Sequence, residues 1–394
     1  VTHTYAEPGR YTVRLRVATK DDLSGCGVAT VRKLVTVNSR PKAVAAIDNR
    51  FVGLNEEVLL DASGSRDVDS GIATYTWDLG DGALASGMQV RHRYRTSGTF
   101  PVVLTVKDNT ALDGSSATDT LEVTVNRTPQ PKIGAQERAC VGETIKFSGL
   151  ESLDGDGEIA RYEWDFGNGE TGQGATVSHA YERPGRYQIT LVVDDGMSVS
   201  NSRHAVTKIV TVNQPPLADA GPPRLVCPNT EVTFDGAASR DVDGQLTRYQ
   251  WNFGNGATME GETVTRVFAE PGMYRVTLSV TDDSGSQCSQ AEDHVWVKVN
   301  AQPSARIQTD RTVRIGGAYD VALFDATQSA DPDQEPLTYH WVLGDGTIET
   351  GAKVLHTYAR AGQYKVQLRV LDSSGLDCGE AWDEVVVEAR TGKG

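Results

Sequence analysis

The chain has 394 residues, 38% of them hydrophobic and 23% charged, and its 53 acidic against 38 basic side chains leave a net charge of −15. Length and composition suit several globular domains, while the acidity would repel a nucleic-acid backbone. No apolar run approaches the roughly 20 residues of a membrane span, which argues against direct insertion.

The first ten residues, VTHTYAEPGR, do not read as a signal peptide. PGRYTVRLRV, from Pro8, alternates apolar and polar residues as a half-buried strand does. The same pattern, a turn ending in Gly and then an alternating run, returns as SGTFPVVLTV from Ser97, PGRYQITLVV from Pro184, PGMYRVTLSV from Pro271 and AGQYKVQLRV from Ala361. Ahead of the last four stands a second pattern, Y-x-W-x-[LF]-G-[DN]-G, centred on Trp77, Trp164, Trp251 and Trp341 at spacings of 87, 87 and 90 residues. Each unit closes on a valine-rich run ending in Val-Asn, at Asn38, Asn126, Asn213 and Asn300. The chain thus reads as a half repeat, 1–38, four full repeats, 39–126, 127–213, 214–300 and 301–390, and a tail, 391–394.

No segment carries helical spacing, and short runs of period two between turn signals predict an all-β chain of antiparallel sandwiches. In these motifs the chain resembles the polycystic kidney disease (PKD) domain, an immunoglobulin-like β-sandwich. The Y-x-W-D-F-G-[DN]-G core, the P-G-x-Y-x-V-x-L-x-V strand and the Asp-rich D-x-D segment all match, over essentially the whole chain. A tandem array of such domains is expected to form an elongated rod, on the order of 150 Å at about 40 Å per domain. Two departures stand out: Val342 replaces the acid or amide of Asp78, Asp165 and Asn252, and Phe100 replaces the strand tyrosine. Neither group is indispensable to the fold.

The acid beside the tryptophan is the first candidate for catalysis, but the same position is Asp, Asp, Asn and Val in turn. The Asp-Gly or Asn-Gly that follows instead supplies the positive φ of a tight hairpin. The four tryptophans read as the large aromatic that such sandwiches bury between their sheets, rather than as sugar platforms. His3, His92, His179 and His356, with Arg266 in the remaining copy, each precede an aromatic by two residues. One per repeat, they suit packing at the rim better than metal binding. No HExxH, GxSxG, phosphate-loop or dinucleotide pattern is present, and no enzyme activity is expected.

A better site is the acidic set that recurs in each repeat: Asn38, Asp67, Asp69 and Asp108; Asn126, Asp154, Asp156 and Asp194; Asn213, Asp241, Asp243 and Asp282; Asn300, Asp331, Asp333 and Asp372. Calcium takes six to eight hard oxygens, and three carboxylates with an Asn carbonyl at one end of a sandwich would suit it. The similarity to PKD-like domains of bacterial collagenases implies a calcium ion near the junction between domains. The alternative is a set of Asx turns in a solvated loop.

The five cysteines contain no CxxC. Cys140 and Cys227 each lie 24 residues before their tryptophan, while Cys26, Cys288 and Cys378 share the loop before the last strand. Only the third full repeat holds both positions, so a Cys227–Cys288 disulfide within that domain is expected, against the alternative of two free thiols. Cys140 and Cys378 would be free or bridge to another chain, and Cys26 would pair with the missing half of its own domain. Asn126-Arg127-Thr128 is a formal glycosylation sequon.

Pairable cysteines favour an oxidising, extracellular or cell-surface location. The expected function is structural: a calcium-stiffened stalk, adhesive segment or filament subunit, with other chains or an extracellular polymer as partner and lateral or filamentous self-association open. Accessory modules of a secreted protease or glycosidase, or a receptor ectodomain, are the competing readings. The chain opens mid-domain, so it is expected to belong to a longer protein.

Overall fold

The computed structural model describes residues 1–20, 27–112, 114–254, 256–317 and 320–391, and the described chain is all-β. Alternation places one face of each strand inward: in Gly98–Asp108, Val102, Leu104 and Val106 are buried while the residues between them are not.

The first full repeat shows the plan. A five-stranded sheet runs in the order Phe51–Gly53, Ser116–Asn126, Gly98–Asp108, Ile72–Asp78, Leu84–Ser86. Its first strand lies parallel to the last strand of the repeat, and the other pairs are antiparallel. A second sheet of Ala46–Ile47, Glu57–Asp61 and Gln89–Arg93 faces it across Trp77, Leu60, Leu104 and Val123. The third and fourth repeats repeat the five-stranded order, each over a two-stranded second sheet. The chain is therefore a tandem series of immunoglobulin-like sandwiches, as expected.

By contact density the chain divides into two compact units: Val1–Glu137, Thr144–Ala180 and Arg186–Val210 form one, and Arg138–Glu143, Tyr181–Gly185 and Thr211–Gly394 the other. The second repeat contributes to both. Within the second unit, its strand Arg138–Cys140 runs parallel to Thr211–Asn213, pairing Cys140 with Asn213. In the first unit the opening half repeat is a two-stranded hairpin, Gly9–Ala18 with Val28–Val37. Its Val13, Leu15 and Val17 are exposed, whereas Val276, Leu278 and Val280, at the same positions of the third repeat, are fully buried.

Candidate functional site

The tryptophan motif turns a corner. Trp77, Trp164, Trp251 and Trp341 are all buried, and each indole N–H donates to a glycine carbonyl ten residues on, at 2.9 to 3.1 Å. Asp78, Asp165 and Asn252 accept the main-chain N–H two residues later, at 3.1, 2.8 and 3.0 Å, so the acid serves an Asx turn that an amide fills equally well. The first glycine of the motif is obligatory: at Gly167 φ is +74°, and a Cβ there would lie 2.6 Å from the carbonyl oxygen of Gln188. The histidines pack at the rim. His92 sits edge-on to Tyr94 with Nε2 2.7 Å from Asp81, and His356 does the same with Tyr358 and Asp345 at 2.8 Å.

The acidic sets assemble at the joints. Asn38 donates from Nδ2 to Asp108 at 2.8 Å, Asn213 to Asp282 at 2.9 Å and Asn300 to Asp372 at 2.8 Å. In the second repeat Asn126 donates to Asp195, at 2.8 Å, and not to Asp194. Asp194 is thus a correction: it lies one residue early on the strand, between the guanidinium groups of Arg161 and Arg203. Asp195 holds the position that Asp108, Asp282 and Asp372 hold, ten residues after the glycine that opens the strand. The residue after each joint Asn is gripped as well: Ser39, Arg127, Gln214 and Ala301 donate their main-chain N–H to Asp69, Asp156, Asp243 and Asp333.

The joint Asn is buried at three joints, at 3% exposure for Asn126 and Asn213 and 0% for Asn300, and half-buried at Asn38. The folded first–second joint therefore does not present the Asn126 sequon amide to solvent. Among the described residues no group of three or more Asp, Glu, His or Cys side chains is gathered so as to hold a metal ion. What recurs is a sealed acceptor with no donor: Asn38 Oδ1, Asp67 Oδ2, Asp154 Oδ1, both oxygens of Asp241, Asn300 Oδ1 and Asp331 Oδ2. A buried acceptor left so costs about 1–3 kcal/mol, more when charged. Burial pushes the Asp154 carboxyl above its ordinary range, and the charges of Asp156 and Asp195 add to it. Asp241 is raised in the same way by burial and by Asp243 and Asp282, against main-chain hydrogen bonds that oppose the shift. At Asp372 burial acts upward too, but hydrogen bonds from Asn300 and Ser374 and the Lys298 charge outweigh it, leaving the carboxyl lowered.

The disulfides overturn the expected pairing. Cys140 bonds Cys288 and Cys227 bonds Cys378, with Cα atoms 6.0 and 5.7 Å apart, so each bridge links one repeat to the next. The reason is the strand register. Cys140 lies beside Asn213, the joint residue that the third repeat's loop grips, and Cys288 Sγ stands 3.7 Å from Asn213 Nδ2. Cys227 follows Val226, whose carbonyl accepts from Asn300 N, at the other end of the third repeat. Cys227 and Cys288 are thus at opposite ends of one domain, and Cys140 and Cys378 are not free. A staggered count would have found this, since pairing each early cysteine with the late one of the following repeat leaves none of these four over. Cys26 lies outside the described residues.

The PKD domain family profile matches residues 38–125, 126–210, 213–297 and 300–387. The human dyslexia-associated protein KIAA0319 is 28% identical over 427 residues, covering 97% of this chain and 38% of that protein. Pre-pro-metalloprotease PrtV of Vibrio cholerae is 36% identical over 148 residues, 36% of this chain and 16% of the relative. Collagenase ColA of Clostridium perfringens is 42% identical over 94 residues, 24% of this chain and 8% of the relative. The chain therefore spans less than half the length of these curated relatives.

Proposed function

Since this chain belongs to the PKD domain family, we propose that it is a non-catalytic spacer of a secreted or cell-surface protein, holding its neighbours at a fixed geometry through joints closed by hydrogen bonds, disulfides and calcium. The observation that carries this reading is the joint itself. The same Asn, buried at three of the joints, donates to the Asp at the same strand-end position at four successive joints, and two of those joints are also covalently bridged. Nothing in a hairpin motif requires such construction; a spacer that must not bend does.

The two disulfides support an oxidising location, and no helix among the described residues is long and apolar enough to cross a membrane. Calcium is proposed here on the chemistry of single oxygens, since no three acidic side chains among the described residues are gathered around one point. Oxygens of Asn38 and Asp67, of Asp154, of Asp241, and of Asn300 and Asp331 are hard, sealed and without donors. A bound ion would supply positive charge to those oxygens and tie the linker Asn to the loop that follows, removing linker freedom. The similarity to a metalloprotease and a collagenase favours a second reading, in which the spacer stands between a catalytic domain and its polymer.

Calorimetric titration of the intact chain with calcium chloride, followed by chelation, tests the metal. Heat of binding, a lower melting temperature after chelation and a shorter solution length after chelation are expected. No heat, together with an unchanged melting temperature and length, would remove calcium from the reading.

A further inference from the structure

The opening hairpin, Gly9–Ala18 with Val28–Val37, differs in charge from the chain that follows it. Residues 1–38 hold six basic side chains against three acidic ones, in a chain whose net charge is −15, so the remainder is more acidic than the whole. Four of the six lie on one face of the ribbon. Arg10, Arg14 and Arg16 take the face opposite to Val13, Leu15 and Val17, and Arg32 stands directly across from Arg14 in strand register. All four are exposed. Among the described residues no acid shares that face, and none of the four arginines is held in an ion pair.

Like charges directly opposite one another cost stability, and a lone two-stranded ribbon is marginal as it stands. At the same register Val103 faces Thr120 in the first full repeat and Thr277 faces His294 in the third. In the fourth, Gln367 faces Glu384 and donates to it at 3.4 Å. The sandwich therefore requires no cation at this place, and the Arg14–Arg32 pair works against it. A ligand that brings anionic groups removes the conflict.

We propose that this face is a binding site for an acidic polysaccharide carrying sulfate or carboxylate groups, which lies along the ribbon and is held by Arg10, Arg14, Arg16 and Arg32. Each guanidinium presents paired N–H donors that match the oxygens of a carboxylate or of a tetrahedral oxyanion. Arg14 and Arg16 stand two residues apart, roughly 7 Å along the strand, so they meet successive charged groups of an extended chain. Thr12, between Arg10 and Arg14, and Thr30, across from Arg16, supply hydroxyls for those of the sugar. That face carries no aromatic ring on which a nucleic-acid base could stack. Beyond about 8 Å at physiological salt the acidic remainder of the chain does not repel the ligand. The inference stands independently of the joints and of calcium.

Heparin, which carries sulfate and carboxylate, and hyaluronan, which carries carboxylate alone, are the probes. Each is titrated at physiological salt into the intact wild-type chain, into R14T/R32T and into R186T/R275T, with the melting temperature as the check on folding. Arg186 and Arg275 are exposed on the second and third repeats, so the last variant loses the same charge elsewhere. The wild type is expected to bind, R14T/R32T to bind roughly tenfold more weakly, and R186T/R275T to bind as the wild type does. Uptake of heparin alone supports the inference with sulfate as the group read; uptake of both supports it with carboxylate sufficient. Uptake of neither, or equal weakening in the two variants, overturns it. Tighter binding to a single-stranded oligonucleotide or to phosphatidylserine vesicles than to either polysaccharide overturns it as well. Should R14T/R32T fail the folding check, R10T/R16T takes its place, and undiminished binding by that variant overturns the inference.

Discussion

The first–second joint and the second–third joint are built on one frame and closed by different chemistry. At the first, Asn126 grips Asp195; at the second, Asn213 grips Asp282. Beside Asn126 in strand register stands Gly53, and beside Asn213 stands Cys140. Opposite Gly53 lie Ser200 and Asn201, whose Oγ and Oδ1 would be 2.7 and 2.8 Å from a Cβ there; opposite Cys140 lies Cys288. Glu56 closes the unbridged joint by accepting from Gly53 N at 2.7 Å and Ser200 Oγ at 3.1 Å. Such bonds are each worth about 0.5–1.5 kcal/mol, against about 2–4 kcal/mol for a disulfide. The Asn–Asp contact is common to both, so it sets the geometry, and the disulfide secures a geometry already reached.

The largest effect expected is on the cores that the joints connect. Trp77→Ala and Trp251→Ala each empty the centre of a sandwich and should cost about 3–5 kcal/mol in their own repeat. The third repeat is bridged at both ends, so its lesion should appear as one lowered transition shared with its neighbours. The first repeat should melt in a separate, earlier step. Calorimetric scans with two early transitions, or none, would break the comparison. Next comes Cys140→Ser with Cys288→Ser, expected to lower stability of the second–third joint by about 2–4 kcal/mol. Limited proteolysis should then cut near Asn213 as readily as near Asn126, and a pattern unchanged by the double substitution would show that the bridge adds nothing.

The converse change is smaller. Gly53→Cys with Asn201→Cys transplants the bridge to the unbridged joint, where a Cβ on Gly53 would lie 3.2 Å from the Cγ that Sγ replaces. Oxidation should form the new bond without reductant and raise the first repeat's melting temperature by a few degrees, partly offset by adjustment of Ser200. Mass mapping that finds both thiols free would mean that the two joints do not share a frame.

Much of this was legible in the sequence because four copies can be compared. Asn252 and Val342 in the place of Asp78 argue against a catalytic acid, and the Asx turns explain why an amide serves as well. Trp164 and its counterparts are readable as core because each follows a tyrosine by two residues in a strand leading into a tight turn, where such sandwiches bury one large aromatic. The joint was harder. Two adjacent acids, Asp194 and Asp195, differ only by strand register, and a one-residue slip turns a side chain to the opposite face. Counting from Gly185 resolves it. Membership of one repeat does not give proximity for the cysteines, because a strand-end residue such as Cys140 lies nearer to the next domain than to the far end of its own. The sealed oxygens of Asp241 had no sequence signal, since burial of single atoms depends on how Gly244 and Asp283 fold over them.

The smallest effect lies away from the joints and separates their behaviour from that of any acidic turn. Asp325 accepts from Thr327 N and Oγ, and its other oxygen stands 2.7 Å from Lys353 Nζ. These hydrogen bonds, that of Lys353 foremost, push its carboxyl down to about 2. A carboxyl depressed on folding adds stability above its unfolded value, near 3.9, and loses it as pH falls toward the folded one. The wild type should therefore lose a little stability between about pH 4 and pH 2 at this turn. Lys353→Met should remove part of that dependence and, with it, an equally small share of neutral-pH stability, small because the lysine is mostly exposed and salt screens the pair. Neither Cys140→Ser with Cys288→Ser nor the transplanted bridge should alter the slope of melting temperature against pH in that window. A change in that slope with bridging would mean that the joints transmit strain into the sandwich, and the separation of frame from closure would fail.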